Sequence, residues 1–205
     1  MKRLLRRLAR HLTPGQWALT GSIAIDVWMR DAGGPPVRRT VTDVDVVATR
    51  LESIGRTIAG EFLVSHYHVP RPEAPKFMVQ LVDPSARLRI DIFPDLVSSI
   101  ATAVERTILG VRVPVLTAES ILDHKLQTLS RASAVRPAAA KHYQDAVALA
   151  VLCCREAPRV ADGYQVAEEV YSAEIGPPCD RCAASHDPAF PLAPKETILN
   201  LLGYV

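Results

Sequence analysis

Two aspartates, Asp43 and Asp45, alternate with apolar residues in the stretch VTDVDVV that begins at residue 41. Because side chains alternate across a β-strand, this spacing predicts that both carboxylates point to the same face of one strand. Two neighbouring carboxylates repel each other unless a divalent cation lies between them. Carboxylate oxygens suit Mg2+, which takes the rest of its coordination shell from water and substrate phosphates. The pair therefore predicts a metal-dependent site for a phosphate-bearing substrate such as a nucleotide.

A glycine-serine pair, Gly21 and Ser22, precedes residues 23–30, in which apolar side chains recur at helical spacing. Glycine lets a ligand approach the backbone closely, and free N–H groups at the start of a helix bind phosphate oxygens. The serine hydroxyl adds one more donor. The sequence GGPP at residues 33–36 ends this helix before the aspartate strand begins. The chain therefore predicts an anion site beside the cation site.

A third carboxylate follows at Asp91, in the stretch RLRIDIF that begins at residue 87. The alternation puts Asp91 on one strand face and its apolar neighbours on the other. Residues 77–82 predict the preceding strand, and residues 83–86 predict the turn between the two. This hairpin would deliver the third acid. In the alternative interpretation, the three aspartates are turn or capping residues that hold no metal.

At these residues the chain resembles the DNA polymerase β-like nucleotidyltransferase superfamily. The signature of that superfamily is a Gly-Ser pair, here Gly21-Ser22, an Asp-x-Asp strand, here Asp43 and Asp45, and a later third aspartate, here Asp91. The long segment between serine and first aspartate resembles most closely the AbiEii/AbiGii (MenT-like) toxin family. In that family a helix and a basic loop separate the two motifs.

The resemblance covers about residues 15–150 and implies an activity and its cofactors. The activity is transfer of a nucleoside monophosphate from an NTP to an acceptor hydroxyl, with release of pyrophosphate. Two Mg2+ ions would be held by the three carboxylates, those of Asp43, Asp45 and Asp91. The β and γ phosphates of the NTP would be held by Gly21 and Ser22.

A lysine at the inward edge of a predicted helix supplies a further candidate. Thr117 is a good N-cap for a helix over residues 118–130, and Lys125 lies beside the apolar stripe of that helix. A lysine is unusual there unless it meets an anion. We therefore predict that Lys125 contacts the triphosphate. Alternatively, its stem packs while the ammonium reaches water.

A second lysine and an aspartate follow, Lys141 and Asp145, on a helix that can start at Pro137. This pattern again resembles the AbiEii/MenT family and implies that Asp145 orients Lys125 or Lys141 at the nucleotide. The alternative is an exposed ion pair between residues four apart, which is worth a few tenths of a kcal/mol. Arg131 would add positive charge toward phosphate or RNA.

The resemblance to the toxin family also implies an acceptor and a partner. The acceptor would be the 3′ end of tRNA, and the protein would be the toxin of a type IV-like toxin–antitoxin pair with a cognate antitoxin. Two alternatives stay open: a nucleotidyltransferase that modifies an antibiotic or a protein, and a non-catalytic interaction protein that kept the fold.

Composition is that of a globular protein. Of the 205 residues, 48% are hydrophobic and 22% are charged, and the net charge is only +2, which excludes extended disorder and a strong polyelectrolyte. No apolar run is long enough to cross a bilayer, and the N-terminus is a poor secretory signal, so we predict a cytoplasmic protein. The order of predicted elements favours an α+β fold with a small mixed β-sheet. We predict a nucleotidyltransferase core over residues 1–116 and a mainly helical lobe of the same compact unit over residues 117–205.

The N-terminal segment, residues 1–10, carries five cations and no anion. Leu4, Leu5 and Leu8 form an apolar stripe at helical spacing, so one face of a helix can pack while the other presents positive charge to RNA phosphates. The alternative is a solvated helix with no ligand.

The four cysteines are Cys153, Cys154, Cys179 and Cys182, with His186 close to the last of them. In the cytoplasm disulfides are not expected. The pair Cys179 and Cys182 with His186 offers three ligands for structural zinc but lacks an evident fourth. We therefore expect reduced thiols without a metal, and structural zinc is the alternative.

Three further segments complete the predicted secondary structure. Apolar spacing predicts a helix over residues 51–63 and another that begins at Pro94 or Asp95, runs to residue 108 and is closed by Gly110. Residues 65–76, which include His66 and His68, predict a loop whose histidines are surface or edge residues rather than ligands. Residues 111–116 predict a short strand.

Overall fold

A computed structural model describes residues 1–33, 41–68, 76–95, 99–131, 142, 145–146, 148–150 and 152–153. These residues fall into two compact units. One contains residues 1–23 together with the described residues of 41–116, and the other contains residues 24–33 together with the described residues of 117–153. The predicted division at residue 116 stays a prediction.

The first unit contains a sheet of seven strands in the order β3-β4-β5-β2-β1-β7-β6. Two of its strand pairs, β2 with β5 and β1 with β7, are parallel, and the others are antiparallel. The mixed sheet confirms the predicted α+β class. The strands are β1 (Trp17–Leu19), β2 (Asp43–Ala48), β3 (Leu63–His68), β4 (Met78–Asp83), β5 (Leu88–Pro94), β6 (Val104–Ile108) and β7 (Val111–Val115).

In the described part of the chain, three α-helices have defined bounds: α1 (Lys2–His11), α2 (Gly21–Asp31) and α3 (Ala118–Arg131). The predicted cap of α3 is confirmed, because the Ser120 N–H donates to Thr117 Oγ1 at 3.2 Å. Of the predicted helical lobe, the structure describes α3 and helical residues between 142 and 152; residues 154–205 lie outside the described part of the chain. No helix in the described segments combines the length and apolarity needed to cross a bilayer.

Strand alternation in β2 and β5 decides which way the aspartates point. Val44, Val46, Ile90 and Ile92 are fully buried on the core face. Burial of a side chain of this size contributes about 2 kcal/mol. A register slip by one residue would exchange these apolar side chains for the aspartates on the core face. The apolar positions therefore fix the orientation of the carboxylates on the opposite face.

The helix predicted over residues 51–63 is wrong. The chain instead makes two 3₁₀ turns, Leu51–Ser53 and Arg56–Gly60, and then enters β3. The loop predicted from residue 65 is wrong at its start, because β3 continues to His68. Ile54 forms a β-bridge with Leu12, and the Gly55 N–H donates to the His11 carbonyl. A Cβ on Gly55 would lie 2.9 Å from that oxygen. A long-range backbone contact therefore prevails over the helical spacing of the apolar residues.

The second helix, predicted up to residue 108, is wrong as well. The structure shows a 3₁₀ turn at Ser99–Thr102, whose first N–H groups are capped by the Asp95 carboxylate, and then strand β6. Leu109 and Gly110 both have positive φ, 50° and 74°, which is the geometry of a two-residue hairpin turn. Gly110 therefore closes the β6–β7 hairpin and not a helix. The predicted strand after it is confirmed as β7.

Helix α1 packs through the predicted leucine stripe, and Leu4, Leu5 and Leu8 are buried. The basic face divides in two. Arg7 and Arg10 form ion pairs within the fold, whereas the side chains of Lys2, Arg3 and Arg6 are exposed. These three cations remain accessible to an anionic partner.

Arg7 links α1 to Glu61, which precedes β3, and to Asp83, the last residue of β4. Its guanidinium forms ion pairs with Glu61 at 2.7 Å and with Asp83 at 3.0 Å, and its central carbon lies 4.5 Å from the centre of the Phe62 ring. The Asp83 side chain is only 2% exposed. The hydrogen bond from Arg7 lowers the pKa of the Glu61 carboxyl.

We expect Arg7→Met to lower the free energy of unfolding by about 2 kcal/mol at neutral pH, because it leaves the buried Asp83 carboxylate without its cation. Glu61 has a lowered pKa in the folded state, so the stability it contributes is present above the ordinary carboxyl value of 4.5 and is lost as pH falls through the lowered pKa. The difference in unfolding free energy between wild type and Arg7→Met should therefore become smaller at acidic pH. Denaturant unfolding at several pH values measures it. Arg3→Met, on the exposed face of α1, is the matched control, and an equal loss in both variants would contradict the expectation.

Candidate metal centre

The register of β2 and β5 brings the predicted carboxylates together. These parallel strands place Asp45 opposite Asp91 and Asp43 opposite Arg89. One carboxylate oxygen from each of Asp43, Asp45 and Asp91 lies within 4.8 Å of the others. The convergence predicted from the sequence is therefore confirmed for all three acids.

The electrostatics of this acidic triad, defined as Asp43, Asp45 and Asp91, favour an added cation. At 4.8 Å two full negative charges repel each other by about 3 kcal/mol if the effective dielectric constant is about 20. Asp91 is 3% exposed, and burial raises the pKa of its carboxyl, against the opposing effect of Arg89. Its Oδ1 atom is buried and accepts no hydrogen bond of good geometry. The Gln80 side chain on the facing strand acts on the same carboxyl and opposes the rise in its pKa. A buried acceptor oxygen among three acids fits a hard divalent cation.

Arg89 supplies the positive charge that the triad contains. Its Nε atom donates to Asp91 Oδ2 at 2.9 Å, and its Nη2 atom donates to Asp43 Oδ2 at 3.2 Å. Arg89 was not among the residues predicted for the site. The signal was present, because Arg89 stands two positions before Asp91 and hence on the same strand face.

The start of α2 lies directly against the triad. Gly21 has φ +66°, and a Cβ built on it would fall 1.9 Å from Asp45 Oδ2. The Thr20 N–H donates to the Asp45 carbonyl at 3.0 Å, which holds the two segments together. Ser22 follows and is half-buried. The glycine is thus required by close approach of an aspartate side chain, and the predicted binding of phosphates by Gly21 and Ser22 stays a prediction.

In the second unit, Lys125 occupies the inward position predicted for it. It is 9% exposed, its Nζ lies 2.9 Å from Asp145 Oδ2 and 3.3 Å from His142 Nδ1. The ammonium is therefore held by a carboxylate, and the alternative in which it reaches water is wrong. The predicted pairing of Asp145 with Lys125 is observed, whereas the contact of Lys125 with triphosphate stays a prediction.

Two other predicted nucleotide contacts have no structural test. Lys141 lies outside the described residues, and with it the predicted pair of Lys141 and Asp145. Arg131 is the last residue of α3, and its contact with phosphate or RNA stays a prediction.

The pair of Lys125 and Asp145 should be strongly coupled. We expect Lys125→Met to cost about 3 kcal/mol of unfolding free energy, because it removes the cation that lies beside a buried carboxylate. Lys125→Met combined with Asp145→Leu should cost less than the sum of the single changes. Denaturant unfolding of the four proteins measures the coupling. Arg30→Met, which removes an exposed partner of Asp26, is the control and should cost under about 1 kcal/mol. Additive single effects would contradict the expectation.

The histidines and cysteines add no described ligand group. His66 and His68 belong to β3, an edge strand of the sheet, in agreement with their prediction as surface or edge residues. His66 is nevertheless buried. Cys153 is half-buried. Cys154 and the three zinc candidates lie outside the described residues, so reduced thiols and the alternative of structural zinc both stay predictions; the zinc candidates are Cys179, Cys182 and His186.

No protein-family model matches the chain, and no curated protein matches it by sequence. Among solved structures it is similar to the antibiotic-resistance factor ANT(2'')-Ia, with 16% identity, 83% of this chain and 92% of that chain covered, and a TM-score of 0.48. An antigenic nucleotidyltransferase-like protein from Paracoccidioides brasiliensis is 17% identical, with coverage of 90% and 84% and a TM-score of 0.42. A provisionally assigned nucleotidyltransferase from Thermotoga maritima is 19% identical, with coverage of 62% and 83% and a TM-score of 0.44.

Solved structures similar to this chain thus include proteins described as nucleotidyltransferases or nucleotidyltransferase-like. The narrower resemblance to the AbiEii/MenT family stays a prediction.

Proposed function

We propose that the protein transfers a nucleoside monophosphate from an NTP to an acceptor hydroxyl and releases pyrophosphate. The observation that carries this proposal is the convergence of three carboxylates within 4.8 Å beside the start of α2. An acidic triad of this kind suits the binding of Mg2+ together with substrate phosphates, and a helix start suits the binding of phosphate oxygens.

In the proposed reaction the acceptor oxygen attacks the α-phosphorus, a new P–O bond forms, and the bond from the α-phosphorus to the bridging oxygen breaks. Two bound Mg2+ ions would supply positive charge for the attacking oxygen and the leaving pyrophosphate. Asp43, Asp45 and Asp91 hold that charge in place. The N–H groups at the start of α2 and the Ser22 hydroxyl bind the β and γ phosphates. Positioning and charge complementarity supply the rate.

For the acceptor we propose RNA, specifically the 3′ end of tRNA, and for the biological role the toxin of a toxin–antitoxin pair acting in the cytoplasm. The spacing of the glycine-serine and aspartate motifs supports this, through its resemblance to the AbiEii/MenT family. A second support is α1, whose exposed Lys2, Arg3 and Arg6 present positive charge without an acid in the same helix. Cations of this kind attract RNA phosphates independently of sequence.

The decisive experiment incubates the purified full chain with Mg2+, each of the four NTPs labelled at the α-phosphate, and total RNA. Parallel reactions replace the RNA by aminoglycosides or by protein. We expect label on tRNA, and none when Asp45→Asn replaces wild type. Label on an antibiotic or a protein would support the proposed transferase activity but contradict RNA as the acceptor. Absence of label with every acceptor and every NTP would overturn the transferase.

The toxin role has its own test. Expression of the wild-type chain should slow growth of a bacterial host, and Asp43→Ala should relieve the inhibition, because the inhibition depends on nucleotide transfer. Equal inhibition by both proteins would contradict a catalytic toxin and favour an interaction protein.

A further inference from the structure

Arg89 stands where a cation bound to the acidic triad would compete with it. The parallel register puts Arg89 opposite Asp43, and strand alternation puts it on the same face as Asp91. One guanidinium therefore reaches two of the three acids, with Nε 2.9 Å from Asp91 Oδ2 and Nη2 3.2 Å from Asp43 Oδ2. The planar fork of arginine suits such a bridge between two carboxylates.

The two acids that Arg89 bridges are also two of the three that a metal would use. Asp91 Oδ2 accepts a hydrogen bond from Arg89, whereas the buried Oδ1 of the same carboxylate accepts none of good geometry. A cation that takes both carboxylates would therefore share them with the guanidinium or replace it. Like charges within this space repel, so sharing is unfavourable.

The Arg89 guanidinium can leave the triad by turning toward solvent. The Arg89 side chain is 35% exposed, whereas that of Asp91 is 4% exposed. An arginine with a third of its side chain in water can turn its head group outward while its stem stays on the strand. The buried carboxylate cannot follow it.

Resting on the proposed metal-dependent function, we propose that Arg89 is an internal counter-ion of Asp43 and Asp91 that an incoming divalent cation displaces. The guanidinium stabilises the triad while no metal is bound and lowers its affinity for metal. Arg89 is thus a positioning residue that sets the cation concentration at which the site fills.

Mn2+ binding to the full chain tests this directly, measured by calorimetry and by the electron paramagnetic resonance signal of unbound Mn2+. We expect Arg89→Gln to bind Mn2+ about tenfold more tightly than wild type, because a competing cation is removed. Without metal its thermal midpoint should fall, and added Mn2+ should raise that midpoint by more than it does in wild type. Neither readout requires nucleotide transfer.

Arg87→Gln is the matched control. It removes the same charge two positions away, from an exposed side chain in the β4–β5 turn, and should change Mn2+ affinity by less than about twofold. Arg89→Lys keeps the charge but loses the fork, and its affinity should lie between those of wild type and Arg89→Gln. If Arg89→Gln does not fold, Arg89→Lys decides: affinity at or below the wild-type value overturns the inference.

The outcomes separate this inference from the proposed function. If wild type binds Mn2+ and Arg89→Gln binds it no more tightly than Arg87→Gln, the counter-ion role is wrong and the metal site stands. If the folded wild type and every variant bind no Mn2+ at millimolar concentration, the metal site of the proposed function is wrong, and the role of Arg89 falls with it.

Discussion

Replacing Asp91 by Asn should lower the rate of nucleotide transfer about a thousandfold, the range expected when a charged group that stabilises a transition state is removed. Asparagine keeps the shape of the side chain but removes the charge and one ligand oxygen at the buried corner of the triad. Burial raises the pKa of the Asp91 carboxyl, so the folded protein disfavours its charged form. The loss of activity should therefore come without a large loss of stability. Turnover with labelled NTP, together with denaturant unfolding, measures both.

Glu105→Gln is the control for Asp91→Asn. Glu105 is an exposed acid on β6, the opposite edge strand of the same sheet, and it has no part in the triad. Its replacement should leave transfer unchanged. Retention of more than a tenth of the wild-type rate by Asp91→Asn would show that the triad does not carry the reaction.

Gly21→Ala should be nearly as damaging, through geometry and not through charge. The new Cβ would fall 1.9 Å from Asp45 Oδ2, so the carboxylate or the start of α2 must move. Displacement of a reacting group by about 1 Å costs about a hundredfold in rate. The positive φ of +66° adds about 1 kcal/mol of backbone strain. We expect loss of transfer and a lower thermal midpoint.

Gly15→Ala separates the clash from the strain. Gly15 has nearly the same φ, +71°, but nothing lies within 4 Å of its added Cβ. It should therefore lose about 1 kcal/mol of stability and keep its activity. Equal activity of the two variants would mean that the contact between Gly21 and Asp45 does not matter for the reaction.

The convergence of the three acids of the triad could be predicted because most of the information for it is local. Strand alternation alone puts Asp43 and Asp45 on one face, and the buried Val44 and Ile90 rows confirm the faces. The hairpin that delivers Asp91 follows from a turn sequence between two alternating stretches. Lys125 was placed by helical spacing in the same way.

The two wrong helices show where local spacing fails. Over residues 51–63 the apolar residues do recur at helical intervals, and Ile54, Ile58 and Phe62 are buried as that spacing predicts. Their backbone is nevertheless not an α-helix, because Ile54 and Gly55 bond to the end of α1, far away in the chain. In the second predicted helix, which ends at residue 108, the last residues form β6, and their pairing with β7 likewise prevails over the helical pattern. Burial was predictable in the first segment, but backbone conformation depended on a distant partner.

The sequence by itself determined which residues are candidates for the site and which strand face each one takes, because both depend on neighbours within a few positions. Only the tertiary structure decided that β5 lies beside β2 in parallel register, which brings Asp91 against Asp45 and places Arg89 between two acids. It also shows why position 21 requires glycine: the Asp45 carboxylate leaves no room for a side chain there. Strand order and register depend on contacts between segments distant in the chain, and the local pattern of a single strand does not specify them.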